Sequence, residues 1–60
     1  MTPQEQDLFK AVMSNIRFNV KEGMTKQEAY NDECGDWNSY IYPHVNIEAV
    51  KDAVRTKLKL

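Results

Sequence analysis

The sequence writes Thr-x-x-Glu twice, at Thr2-Pro3-Gln4-Glu5 and at Thr25-Lys26-Gln27-Glu28. At this spacing the threonine hydroxyl accepts from the backbone N–H three residues on, and the glutamate reaches back to the threonine N–H. Each box is a helix start that leaves little freedom about where its helix begins. Pro3 strengthens the first, because its preset φ suits the opening helical turn and its missing N–H is not needed there. Met24, just ahead of the second box, can pack on Ala29 as a hydrophobic staple.

After the first box, Phe9, Val12, Met13, Ile16 and Val20 fall within a narrow arc of a helix, with Leu8 at its edge. Gly23 stands where a left-handed cap is expected, so the pattern predicts a helix from Pro3 to about Glu22. Ala11 and Phe18 break the stripe, lying on nearly the opposite side. Phe18 is either core in a domain that wraps its longest helix on more than one side, or an anchor for a second chain. The second box predicts a helix from Lys26 to Cys34, closed at Gly35, with a thin apolar edge of Ala29, Tyr30 and Cys34. A third helix, 47–59, is capped by Asn46 and carries Ile47, Val50, Val54 and Leu58 on one face, flanked by Ala49 and Ala53. Glu48 in its first turn and Lys57 and Lys59 in its last complement the helix dipole.

Between the last two helices, residues 33–45 hold the sole Trp, Cys and His, two of the three Tyr and the second Pro. As a strand this stretch would have nothing in the chain to pair with. As a helix it places Trp37, Tyr40, Ile41 and His44 on one face, but Pro43 disfavours helical backbone at Tyr42. A short helix or turn over 37–42 is the expectation, with Trp37 and Ile41 pointing inward and Tyr40 and Tyr42 outward. The fold class is then all-α: one small three-helix domain over 1–60 with a short fourth helix or turn between helices two and three.

Sixty residues bury only about 60 % of the surface that the unfolded chain exposes. Domains this small usually need a staple or a partner. A single Cys excludes an internal disulfide, and one Cys with one His cannot complete a structural zinc site. Good helix packing, oligomerisation or a larger partner must then supply the stability, the last two foremost. The first residues lack the basic and apolar regions of a secretory signal, and no apolar run nears the roughly 20 residues of a membrane span. A lone thiol suits a reducing compartment. A soluble, cytoplasmic protein with no membrane partner is expected.

Catalysis finds no support: there is no Gly-rich phosphate loop, no paired Cys and His, and no Ser beside a plausible base. Neither enzyme activity nor a cofactor is expected. Asp32, Glu33 and Asp36 lack the alternating ligands of a calcium loop and read as solvated charge at a helix end. Cys34 reads as a small buried hydrophobe, and His44 as a surface residue. Trp37, Asn38, Tyr40 and Tyr42, in contrast, combine the residue types of interface anchors with an adaptable hydrogen-bonding amide. Asp36 and Glu33 give that group an acidic shoulder that favours a basic protein partner. With Phe18 these residues define the expected binding surface of an inhibitor or adaptor, with a homodimer as a further expectation. By size and style alone, such chains are common among phage and mobile-element accessory proteins.

The alternative is a helix-turn-helix DNA binder, a regulator or packaging accessory. In that reading the second helix, Gly35 and an element starting near Asp36 form the motif, and Lys51, Arg55 and Lys59 touch the DNA backbone. The net charge of −1 and the absence of Arg or Lys from Asp36 to Val50 weigh against it, because a reading helix needs donors for phosphates and base edges.

Overall fold

A computed structural model describes residues 1–60. It holds α1 (Pro3–Lys21), α2 (residues 26–35) and α3 (Ile47–Leu58), with no strand. Within α2 an α-helical half, Lys26–Tyr30, continues as a single π-helical turn, Asn31–Gly35. The fold class is the expected all-α one.

Both capping boxes form. Thr2 Oγ1 accepts from the Glu5 N–H at 3.2 Å while Glu5 Oε1 accepts from the Thr2 N–H at 2.9 Å. Thr25 and Glu28 repeat the exchange at 3.1 Å in both directions. α1 stops at Lys21, one residue before the expected end, and Gly23 adopts φ +116°. The Gly23 N–H then donates to Val20 O and the Met24 N–H to Asn19 O, both at 3.1 Å. This pair of bonds is a Schellman closure, and it turns Met24 back onto the core.

One cluster forms the interior: Val12, Met13 and Ile16 from α1, Ala29, Tyr30 and Cys34 from α2, and Val50, Val54 and Leu58 from α3. Each comes from the periodic positions read in the sequence. Fully burying a large aliphatic side chain contributes about 1.5–3 kcal/mol, so Ile16, Val50 and Val54, all with 0 % exposure, are its main supports.

α1 and α3 run parallel. Their N-termini touch, because Glu5 Oε2 accepts from the Asn46 N–H at 2.9 Å. Their C-terminal ends meet around a common cavity lined by Ile16, Val20 and Leu58. Parallel neighbours set two positive dipole ends side by side, and the carboxylate between them offsets that repulsion. At the other end Lys26 Nζ lies 3.5 Å from Leu58 O, a cation placed against the negative end of α3.

Three expectations are corrected and two open alternatives are resolved. The last turn of α2 widens to π geometry, where a Cβ on Gly35 would come within 3.3 Å of Asn31 Oδ1. Of the short helix or turn expected over 37–42, the turn forms, as a run of turns. Asn38 O accepts from the Ile41 N–H and Tyr42 O from the Val45 N–H, while Asn38 Oδ1 takes the Tyr40 N–H at 2.9 Å. The Asn38 side chain and Pro43 together satisfy or exclude the bonds a helix would need. Ile41 does not turn inward but is 49 % exposed. α3 ends at Leu58, with Lys59 in the left-handed region at φ 62°. Phe18 is not core: 61 % of it faces solvent.

Candidate functional site

The exposed aromatic surface is built by the end of α2 and the turns that follow. α3 fixes where α2 stops. Lys51 Nζ donates to Gly35 O at 2.9 Å and lies 3.4 Å from Trp37 O, so an ammonium from α3 covers the last carbonyl of α2 and one just beyond it. The Trp37 N–H returns to Cys34 O at 3.1 Å. Trp37 is thereby held half-buried against the core.

Tyr42 rests on that platform, its ring centroid 5.1 Å from that of Trp37 at an interplanar angle of 58°. A tilted aromatic pair of this kind contributes about 0.5–1.5 kcal/mol beyond area burial. Tyr40 has no such support and is 92 % exposed at the tip of the turn. Three consecutive large side chains, Tyr40, Ile41 and Tyr42, thus stand at the surface on a turn whose backbone is hydrogen-bonded. Asn38 lies exposed beside them, its Oδ1 committed to the Tyr40 N–H.

The acidic shoulder divides. Asp36 is exposed directly after the π turn, whereas Glu33 is half-buried and accepts from Asn19 Nδ2 at 3.2 Å, tying α2 to α1. No group of three His, Cys, Asp or Glu side chains is placed to hold a metal ion. Cys34 is buried, and its burial pushes the thiol above its ordinary value, with Lys51 opposing. Phe18 stands on the outer face of α1 rather than with the turn residues; of the expected partner-binding residues the structure brings Trp37 against Tyr42 and Asn38 against Tyr40, while Glu33 turns to α1.

The three cations of the DNA-binding alternative are placed differently from one another. Lys51 is the cap just described. Arg55 donates to Tyr30 Oη at 2.7 Å and pairs with Asp52. Lys59 is exposed. The helix expected to start near Asp36 is absent, and residues 36–46 separate α2 from α3, whereas a helix-turn-helix joins its helices by three or four residues.

Beside the aromatic turn lies an open groove of about 510 Å³ between the first turns of α1 and the 41–45 segment. Gln4, Asp7 and Leu8 form one wall, and Ile41, Tyr42, Pro43, His44 and Val45 the other. Sequence reasoning found Tyr42 but not this groove. Gln4 and Asp7 look like ordinary solvated helix positions until Glu5 draws the start of α3, and with it Val45, against α1. No helix is long and apolar enough to cross a membrane. No protein-family model matches this chain, and no curated protein or solved structure matches it either.

Proposed function

We propose that this protein is an intracellular, non-enzymatic protein-binding module, an inhibitor or adaptor, that engages its partner through the turn bearing Tyr40, with Asn38, Tyr42 and Trp37 around it. One observation carries the reading: Tyr40 is 92 % exposed next to exposed Ile41 and Tyr42. A large apolar side chain gains nothing for a monomer in that position, and aromatic residues held on an ordered turn are the anchors that interfaces use. Asp36 adds negative charge at the edge of the patch, which favours a partner with a basic surface.

The engagement of Lys51 and Arg55 inside the domain favours this reading over DNA binding, because phosphate contacts need cations free to reach a backbone. The test places a photo-crosslinking amino acid at position 40 in living cells, with position 10 on α1 as control. A discrete adduct is expected from position 40 and not from position 10, and Tyr40→Ala should remove competition for that adduct while the helical circular dichroism stays unchanged. Crosslinks that are equal at the two positions would refute the assignment. Duplex DNA should give no retardation at low salt, and a shift that falls steeply with added salt would restore the alternative.

A further inference from the structure

Two surface features are left over: Phe18, 61 % exposed on the outer face of α1, and the groove between α1 and the 41–45 segment. We propose that they are the two halves of one contact, made when two copies of this chain pair with their α1 helices antiparallel and Phe18 of each copy enters the groove of the other.

The seam for such a pairing is written along α1. Gln4, Leu8, Ala11, Asn15, Phe18 and Glu22 follow one another at spacings of four, three, four, three and four. That is the alternation with which one helix packs lengthwise on another. The core residues Val12, Met13 and Ile16 lie beside this seam, not on it. Gln4, Ala11, Asn15 and Phe18 are exposed, and Leu8 is half-buried. The face is therefore open along most of the helix, about 28 Å at the usual rise per residue, and partly covered only at Leu8, which packs against the core.

Antiparallel pairing centred on Met13 sets Leu8 of one copy opposite Phe18 of the other, and Ala11 opposite Asn15. Leu8 is itself a wall of the groove, with Ile41, Tyr42 and Val45 beside it. A phenyl ring arriving at Leu8 enters that apolar space. A small residue opposite a short polar one fills the two central layers, where an Asn in the seam fixes register at some cost in stability.

Charge selects the direction. Asp7 and Lys21 flank the seam on its outer side, and antiparallel pairing brings Asp7 of each copy to Lys21 of the other. Neither takes part in an ion pair within the chain, whose one such pair is Arg55–Asp52. A parallel arrangement would direct Asp7 toward the position of buried Val12 and stack Phe18 on Phe18, away from the groove. The antiparallel pair is closed by a two-fold axis and presents one patch twice, so it stops at two copies. Tyr40 does not line the groove, whereas Ile41 and Tyr42 do, so the dimer covers one edge of the proposed partner surface and leaves Tyr40 itself open.

Sedimentation equilibrium over a wide concentration series at low salt tests this. The mass should rise from 7.0 kDa to twice that value. Phe18→Ser should remain monomeric throughout with unchanged helicity, since the ring fills no part of the core. Asp7→Lys should weaken association by about tenfold, the scale of two lost surface pairs, and adding Lys21→Glu should restore it. Tyr40→Ala should leave the dimer intact. A wild-type chain that stays monomeric, a Phe18→Ser chain that still dimerises, or a double charge variant that fails to recover would each overturn the proposal.

Discussion

Glu5 and Glu28 hold the same position in the same four-residue box, and each carboxylate accepts the N–H of its own threonine. There the likeness ends. Glu28 is exposed and its second oxygen is free of any protein partner, whereas Glu5 is 8 % exposed and its second oxygen takes the Asn46 N–H. One glutamate starts a helix; the other starts two and joins them. The joint lets α1 and α3 lie parallel, because a single negative charge sits at both positive ends.

The difference is open to direct attack, and its largest expected effect is at Glu5. Glu5→Ala should lower the melting temperature several times more than Glu28→Ala, since it strips partners from two helix N-termini at once. Thermal unfolding followed by circular dichroism reads this. Equal losses would show that the bond to Asn46 adds nothing in solution. Acid provides the same comparison without replacing a side chain. Both carboxyls are held below their ordinary value of 4.5: Glu5 first by the Asn46 N–H and then by Thr2, Glu28 by Thr25. A carboxyl lowered on folding stabilises the fold while ionised. Its contribution is complete above about pH 4.5 and is lost as pH falls through the lowered folded value. Stability should therefore drop on acidification below that point, and Glu5→Gln should flatten the acid limb more than Glu28→Gln does.

Gly23→Ala follows in size. Nothing lies within 4 Å of the added methyl, so the whole cost is backbone strain at φ +116°, about 2 kcal/mol. Denaturant melts should show the loss as a shift in midpoint at constant slope. The threonines then provide the internal control for the two boxes. Thr2→Ala and Thr25→Ala each remove a purely local cap and should cost about 1 kcal/mol apiece. Near-equal threonine losses alongside unequal glutamate losses would assign the inequality to the Asn46 bond and not to some general weakness of α2.

The same pair of boxes shows what a sequence can carry. Helix starts, the Gly23 closure and the apolar stripes all depend on residues within four or five positions of one another, so Val12, Ile16, Val50 and Val54 were legible as core from their spacing. Glu5 to Asn46, Lys51 to Gly35 and Arg55 to Tyr30 join residues far apart in the chain, and no local pattern distinguishes those side chains from solvated ones. The aromatic turn was half legible. Its residue types marked it as a surface, but whether 37–42 coils or turns depended on Asn38 taking the Tyr40 N–H, one of several bonds open to an asparagine. The groove and the free face of α1 became visible only once α3 had been placed beside α1.

The helix ends extend the comparison to its smallest effect. α1 and α3 close in the same way: the Lys59 N–H donates to Thr56 O at 3.2 Å and the Leu60 N–H to Arg55 O at 3.0 Å, the bonds that Gly23 and Met24 make for α1. The residue that must turn left-handed is a glycine in one case and a lysine, at φ 62°, in the other. Holding an L-residue there costs about 1–2 kcal/mol, and glycine would remove that cost. Glycine also frees the unfolded chain, which takes back about 0.4–1 kcal/mol. The strain relieved exceeds the entropy added, so Lys59→Gly should stabilise the fold by about 0.5–1 kcal/mol, read as a higher denaturant midpoint. Lys59 also supplies a positive charge near the negative end of α3, so Lys59→Ala separates the two effects. It discards the charge and keeps the strain, and should therefore be no more stable than the wild type. A Lys59→Gly chain no more stable than Lys59→Ala would mean that the last turn of α3 is frayed in solution and the closure there does not form.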